Sequence, residues 1–440
     1  MVKLTSLMPG SVHHSDILVI GGGPGGSTVS TLLQRKGWTV TLLEKEHHPR
    51  FHIGESLLPR NLDVFNKLGV LEEVEKIGIK KLGADFTPPF DNSEYVMFDF
   101  SKAMDPEYPT AFQVRRSEFD HLLLENSKKN DVNVLEGYDA VSFDLSQNDQ
   151  VTVVAKDESN AEHTFNAKFL IDASGRDTFL SSKLKLKQKN PKHNSAAVFG
   201  HFNGVTRREG EHQGNISIYW FDYGWFWLIP LKDGTTSIGA VCWPEYLKMR
   251  NVPLDEFLLN TIKRCEPLYE RVKDGKLETK ATATGNFSYQ SKKLFGNNYM
   301  LVGDAFAFID PIFSTGVFVA MYSAESASEA VSKYLQDPGR STAPLKRHQN
   351  KINRGIKTFS WLIYRFNSPA IRFLFVNPNN RYRIVDALIT LLTGDVFRDT
   401  PIKKPLFIFK LIYYIFSLSL FKSSITAYLH RRAQVKIISD

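Results

Sequence analysis

The regular part of the chain opens on a short apolar, β-branched run, Asp16-Ile-Leu-Val-Ile20, which predicts a strand. Glycine follows at once in Gly21-Gly-Gly23-Pro-Gly-Gly26, and Ser27-Thr-Val-Ser-Thr-Leu-Leu33 then places its apolar positions at helical spacing. A second strand, Trp38-Thr-Val-Thr-Leu-Leu43, ends at Glu44. Two later apolar strands run into glycine turns, Leu170-Ile-Asp172-Ala-Ser-Gly175-Arg176 and Tyr299-Met-Leu-Val302-Gly303-Asp304. The runs Ile216–Tyr219, Trp225–Leu231 and Thr236–Cys242 have period two, the mark of a mostly antiparallel sheet. After Asp337-Pro338-Gly339 the pattern turns helical.

These elements predict an α/β chain with three parts. Residues 1–180 and 285–335 interleave as a nucleotide-binding domain, 87–115 and 195–285 form a sheet over a substrate cavity, and 337–440 form a helical region. In the first unit Gly21 permits a tight turn, Gly23 lets backbone approach a pyrophosphate, and Gly26 lets the helix pack close to the strand. Glu44, 18 residues beyond Gly26, is placed to accept hydrogen bonds from a ribose diol. This unit alone leaves NAD and FAD both open.

The 440 residues are 42% hydrophobic and 23% charged, which excludes a disordered chain. Cys242 and Cys265 form no CxxC pair, so neither a metal site nor a disulfide framework is expected, and a reducing, cytoplasmic setting fits. The first sixteen residues lack the apolar core of a secretory leader. Net charge is +8 overall, yet residues 341–440 hold 17 Lys/Arg against 4 Asp/Glu. That imbalance predicts a C-terminal surface that meets an anionic partner, and Pro405–Phe421, too short to span a bilayer, reads as a core or surface helix.

With Val114-Arg-Arg116-Ser-Glu-Phe119, these glycine-turn segments resemble the glutathione-reductase-type FAD-binding fold of aromatic hydroxylases, geranylgeranyl reductases and flavin-dependent halogenases. The resemblance implies FAD contacts at Arg116, Gly303 and Asp304, and Arg50, just before Gly54-Glu-Ser56-Leu-Leu-Pro59, joins them. Asp304 also suits a helix cap. Trp225-Phe-Trp227-Leu-Ile-Pro230 fits the WxWxIP signature, and Phe308-Ile-Asp-Pro311-Ile-Phe-Ser314-Thr315-Gly316 fits FxxPxxSxG, both of flavin-dependent halogenases. Lys80-Lys81-Leu-Gly83-Ala84 resembles the KxGA segment of halogenases that act on phenols and pyrroles.

The resemblance therefore implies a halogenase with FAD reduced by a separate flavin reductase, since no second GxGxxG unit for NADPH is present. Chloride or bromide would sit at the amides of Ser314, Thr315 and Gly316, where a helix start leaves N–H groups unpaired. Lys81 would direct hypohalous acid to an electron-rich phenolic or pyrrolic ring, free or carrier-bound, and Trp225 and Trp227 would hold that ring away from the flavin. Helical segments like 337–440 cap such enzymes, and their basic charge suits an acidic carrier protein or an anionic membrane surface; no motif for reading nucleic acid accompanies it. An FAD-dependent aromatic monooxygenase, with Lys81 incidental, is the alternative reading, and a prenyl-lipid reductase a third.

Overall fold

The structure, a computed structural model, describes residues 10–88, 95–285 and 288–437. Residues 1–9, which carry most of the leader argument, lie outside them, as do 89–94 within the expected sheet segment 87–115.

Strand Val12–Ile20 pairs in parallel with Val40–Glu44 on one side and with Glu162–Asp172 on the other. The sheet extends in parallel to Asn133–Glu136 at one edge and to Tyr299–Leu301 near the other. Ile17–Ile20 and Val40–Glu44 are buried throughout, as expected of parallel strands covered on both faces. Helix Pro24–Gln34 packs against Arg116–Lys129 and against Thr315–Gln336. Ile20, Glu44, Asp172 and Leu301 thus end at one edge of the sheet, the side on which open α/β sheets bind ligands.

A second sheet runs Lys276–Leu277, Ala196–Asn203, Thr236–Cys242, Gly224–Pro230, Ile216–Phe221, Gly83–Thr87, Val96–Asp99. Every pairing is antiparallel except one: Gly83–Thr87 lies parallel to Ile216–Phe221, with Ala84 opposite Ile216. The sequence reading starts this sheet at residue 87; the buried run Gly83-Ala-Asp-Phe-Thr87 belongs to it as well, because Gly83 lets the chain pass against Phe98 where a Cβ would stand 2.5 Å from the Phe98 carbonyl oxygen. Five C-terminal helices follow, Ala343–Ile363, Pro369–Val376, Ile384–Leu392, Lys403–Ser419 and Phe421–Lys436. Phe366 stacks on Trp220 at 4.9 Å, and Phe375 meets Phe86 and Phe98 at 5.0 and 5.2 Å, so aromatic packing fixes the helices on the second sheet.

Candidate functional site

A cleft of about 470 Å³ runs from the ends of the parallel strands to the second sheet. Gly21 and Gly23 line one end with Glu44, Arg50 and Arg116, Gly303 and Asp304 flank it, and Trp225, Trp227, Ser314 and Gly316 line the other.

Gly21 has φ +99°, and a Cβ there would stand 2.5 Å from the Ala173 carbonyl oxygen; a Cβ on Gly26 would come within 1.8 Å of the Gly21 carbonyl oxygen. Those two glycines serve the turn itself. Gly23 differs, since a Cβ there meets only the Arg50 guanidinium at 3.7 Å. Its freedom is on the cleft side, where a ligand backbone would pass. Glu44 accepts from the Gly22 N–H at 2.6 Å through Oε2 and from the Glu46 N–H at 2.9 Å through Oε1, and its carboxylate retains lone pairs for a diol.

Arg116 grips Asp120 with two parallel bonds, 2.8 and 2.9 Å, and donates to the Ile53 carbonyl at 2.8 Å. Burial alone would raise the Asp120 carboxyl, but the Arg116 charge outweighs it and holds the group below its ordinary value. Arg50 approaches the same carboxylate at 3.5 Å and pairs with Glu46 at 3.0 Å. Burial pushes the Asp304 carboxyl up to about 7, against the pull of Arg176 and Arg116. An elongated groove with a glycine turn at a helix start, the buried Arg116 with the partly exposed Arg50 beside it, and an acid at a strand end suits a bound FAD.

Ser314 has φ +54° and precedes helix Thr315–Gln336, whose first-turn N–H groups lack helical partners. Ser314 and Gly316 line the cleft; Thr315, read with them as a halide contact, occupies the first helical position and is not part of the lining. Trp225 and Trp227 stand on one face of strand Gly224–Pro230, 6.1 Å apart by ring centroids, and the Trp227 indole N–H donates to Ser237 Oγ at 3.1 Å.

Strand Ile79–Lys81 turns Lys80 to solvent and Lys81 inward. Lys81 is 1% exposed, and its Nζ donates to Ser56 Oγ at 2.9 Å and to the Leu57 carbonyl at 3.1 Å, with the Phe100 ring 5.2 Å away. Burial lowers its pKa from 10.5 to about 7. Lys81 does not border the cleft; Ser56 does, so one hydroxyl separates the amine from that space.

Several groups in or behind the cleft wall have partners that sequence reading does not reach. His201 meets Glu55 at 2.7 Å across 146 positions, and both are fully buried. Arg176 bonds Thr284 Oγ1 at 2.6 Å and the Gly285 carbonyl at 2.9 Å. Phe51 stands over Phe199 at 6.4 Å. Arg176 is quoted within a glycine-turn segment, and period two points His201 to one face of its strand; nothing local names their partners. Among the described residues no cluster of His, Cys, Asp and Glu is set to hold a metal.

The parallel sheet, glycine turn and cleft define a dinucleotide-binding flavoprotein. A family model described as "Tryptophan halogenase" matches residues 16–109 and 100–370, and the chain belongs to that family. It is 31% identical over 88% of its length to a 1H-pyrrole-2-carbonyl-(peptidyl-carrier protein) chlorinase of Pseudomonas fluorescens, covering 90% of that protein. It is 30% identical to the corresponding brominase of Pseudoalteromonas luteoviolacea, over 89% and 94% of the two chains. Among solved structures, a flavoprotein/dehydrogenase from Cytophaga hutchinsonii superposes with TM-score 0.86 at 26% identity over 92% of this chain and 100% of that one. The myxobacterial chondrochloren halogenase CndH superposes at 0.76, with 29% identity over 93% and 97%. The chain is a flavin-dependent halogenase, an oxidoreductase that uses FAD and halide on an aromatic substrate.

Proposed function

We propose that the protein halogenates an electron-rich phenolic or pyrrolic ring, free or held on a carrier protein, by way of hypohalous acid handled at Lys81. The observation that carries this reading is the Lys81 amine, one hydroxyl removed from a cleft walled by Trp225 and Trp227.

Bound FAD, arriving reduced from a separate flavin reductase, supplies the activation of oxygen that turns halide into an electrophile. Gly21, Gly23 and Gly26 shape the turn that receives its pyrophosphate, Glu44 takes the ribose, and Arg50, Arg116, Gly303 and Asp304 hold the remainder. The amides at Ser314, Thr315 and Gly316 keep chloride or bromide at the flavin end of the cleft. Trp225 and Trp227 exclude water and keep the ring from that end, so halogenation is not displaced by hydroxylation. With its pKa near 7, Lys81 offers a neutral amine at working pH, hydrogen bonded toward Ser56, to hold and orient the oxidant.

The 30–31% identity to enzymes named for pyrrolyl-carrier-protein substrates supports a carrier-bound ring. The basic region 337–440 supports contact with an anionic partner, and the free, buried Cys242 and Cys265 support a reducing, cytoplasmic setting. The test supplies protein, FAD, a flavin reductase, NADH and either halide to phenols, pyrroles and carrier-bound pyrroles, with mass spectra read for halogen isotope patterns. A halide-dependent product that disappears in Lys81→Ala is expected. Gain of one oxygen regardless of halide would replace this reading with the monooxygenase.

A further inference from the structure

Among the described residues seventeen large apolar side chains stand exposed, and ten of them lie between Phe407 and Leu429. Leu418 is 70% exposed, Ile415 66% and Phe407 62%. In helix Lys403–Ser419 only Pro405 and Phe409 are buried, although the helix is apolar over most of its surface. A run of this size in the open is a binding surface rather than ordinary surface variation.

The two helices break at Leu420 and bend by 106°. The first helix is tied to the body at its middle, where Phe409 and Tyr413 pack edge-on to Trp361, and the second at its far end, where Arg431 donates to the Tyr364 carbonyl and Asn194 Nδ2 donates to the Ile437 carbonyl at 3.1 Å. The bend itself carries Leu418, Leu420 and Phe421 in the open. Between Asp399 and Asp440 there is no acidic residue, whereas Lys403, Lys404, Lys410, Lys422, Arg431, Arg432 and Lys436 give seven cations.

We propose that Lys403–Ser419 and Phe421–Lys436 form an anchor that lies in the headgroup boundary of an anionic phospholipid surface, with the bend as its deepest point. This sharpens the reading of 337–440 as a region that meets an anionic partner and is independent of the chemistry in the cleft. Neither helix alone is long and apolar enough to cross a bilayer, and the 106° bend keeps the two from forming one straight span, so we place the pair along the surface. A 17-residue helix spans roughly 25 Å, room for several apolar side chains to insert side by side. Tyr414 and Tyr428, each about half exposed, suit the headgroup level, where an aromatic ring is apolar and its hydroxyl wet. A second copy of the chain on this face would set cations against cations, which disfavours self-association. An acidic protein would answer the charge but not the row of exposed apolar side chains, because transient interfaces are no more apolar than ordinary surface.

The test floats the FAD-loaded full chain with vesicles of phosphatidylcholine alone and of phosphatidylcholine mixed with phosphatidylglycerol. Binding to the anionic vesicles is expected, and the bound fraction should fall about tenfold at high salt and in the double variant Ile415→Glu, Leu418→Glu. Unchanged FAD content and thermal midpoint show that the variant is folded, with Leu418→Ser, Phe421→Ser as the milder alternative. Halogenation of a soluble phenol should be the same in parent and variant, so failure of the anchor and failure of the halogenase reading separate. No flotation of the parent, or flotation that the variants leave undiminished, overturns the proposal. So does a dimer in light scattering, or capture of an acidic carrier protein, that the variants abolish while vesicle binding is absent.

Discussion

Lys81 Nζ lies 2.9 Å from Ser56 Oγ, and Ser56 borders the cleft while Lys81 does not. The amine is thus partitioned from the cofactor space by a single side chain. Removing the amine should cost the chemistry without disturbing the cleft. Lys81→Met, which keeps the volume, is expected to lower halogenation by at least about a hundredfold while FAD absorbance and flavin oxidation persist. Loss of FAD as well would make Lys81 a packing residue only.

The same burial sets a pH signature. Folded Lys81 titrates near 7 and unfolded lysine near 10.5, so between those values the unfolded chain holds the extra proton. Its contribution to stability therefore rises with pH across that window. In denaturant titrations Lys81→Met should lack that rise, and its advantage over the parent should be greatest below pH 7.

Two glycines of one motif should fail in different ways. Gly26→Ala forces a Cβ onto the Gly21 carbonyl and is expected to destabilise the fold by about 3 kcal/mol. Gly23→Val, facing the cleft, should abolish FAD binding with little change in thermal midpoint. Equal effects on midpoint would remove the distinction.

Asp120 is the sole carboxylate that Arg116 grips among the described bonds. Asp120→Ala leaves a buried guanidinium facing Arg50 without its counter-charge, and a loss of roughly 3–5 kcal/mol is expected in chemical denaturation. Asp120→Asn, which keeps the shape, should lose nearly as much, because the charge rather than the volume is missing.

What the sequence made legible is what is local. The strand, glycine turn, helix and terminal acid of residues 16–44 are encoded by consecutive residues, and so is the tryptophan pair on one strand face. Lys81 was nameable over Lys80 only through the KxGA resemblance; the burial that lowers its pKa comes from folding. Pairings that close over long separations left no trace, as with Glu55 and His201. Pro405–Phe421 reads in the sequence as one apolar core or surface helix flanked by lysines; its end at Leu420 and the face it keeps covered are not legible there, because that face meets Trp361 and Phe373, distant in sequence.

The single parallel pairing, Gly83–Thr87 along Ile216–Phe221, stitches chain from two distant stretches into one sheet. A hybrid enzyme that exchanged only residues 195–285 for those of a relative would inherit a seam matched to the wrong neighbour. Grafts that carry both halves of the seam are the ones expected to fold.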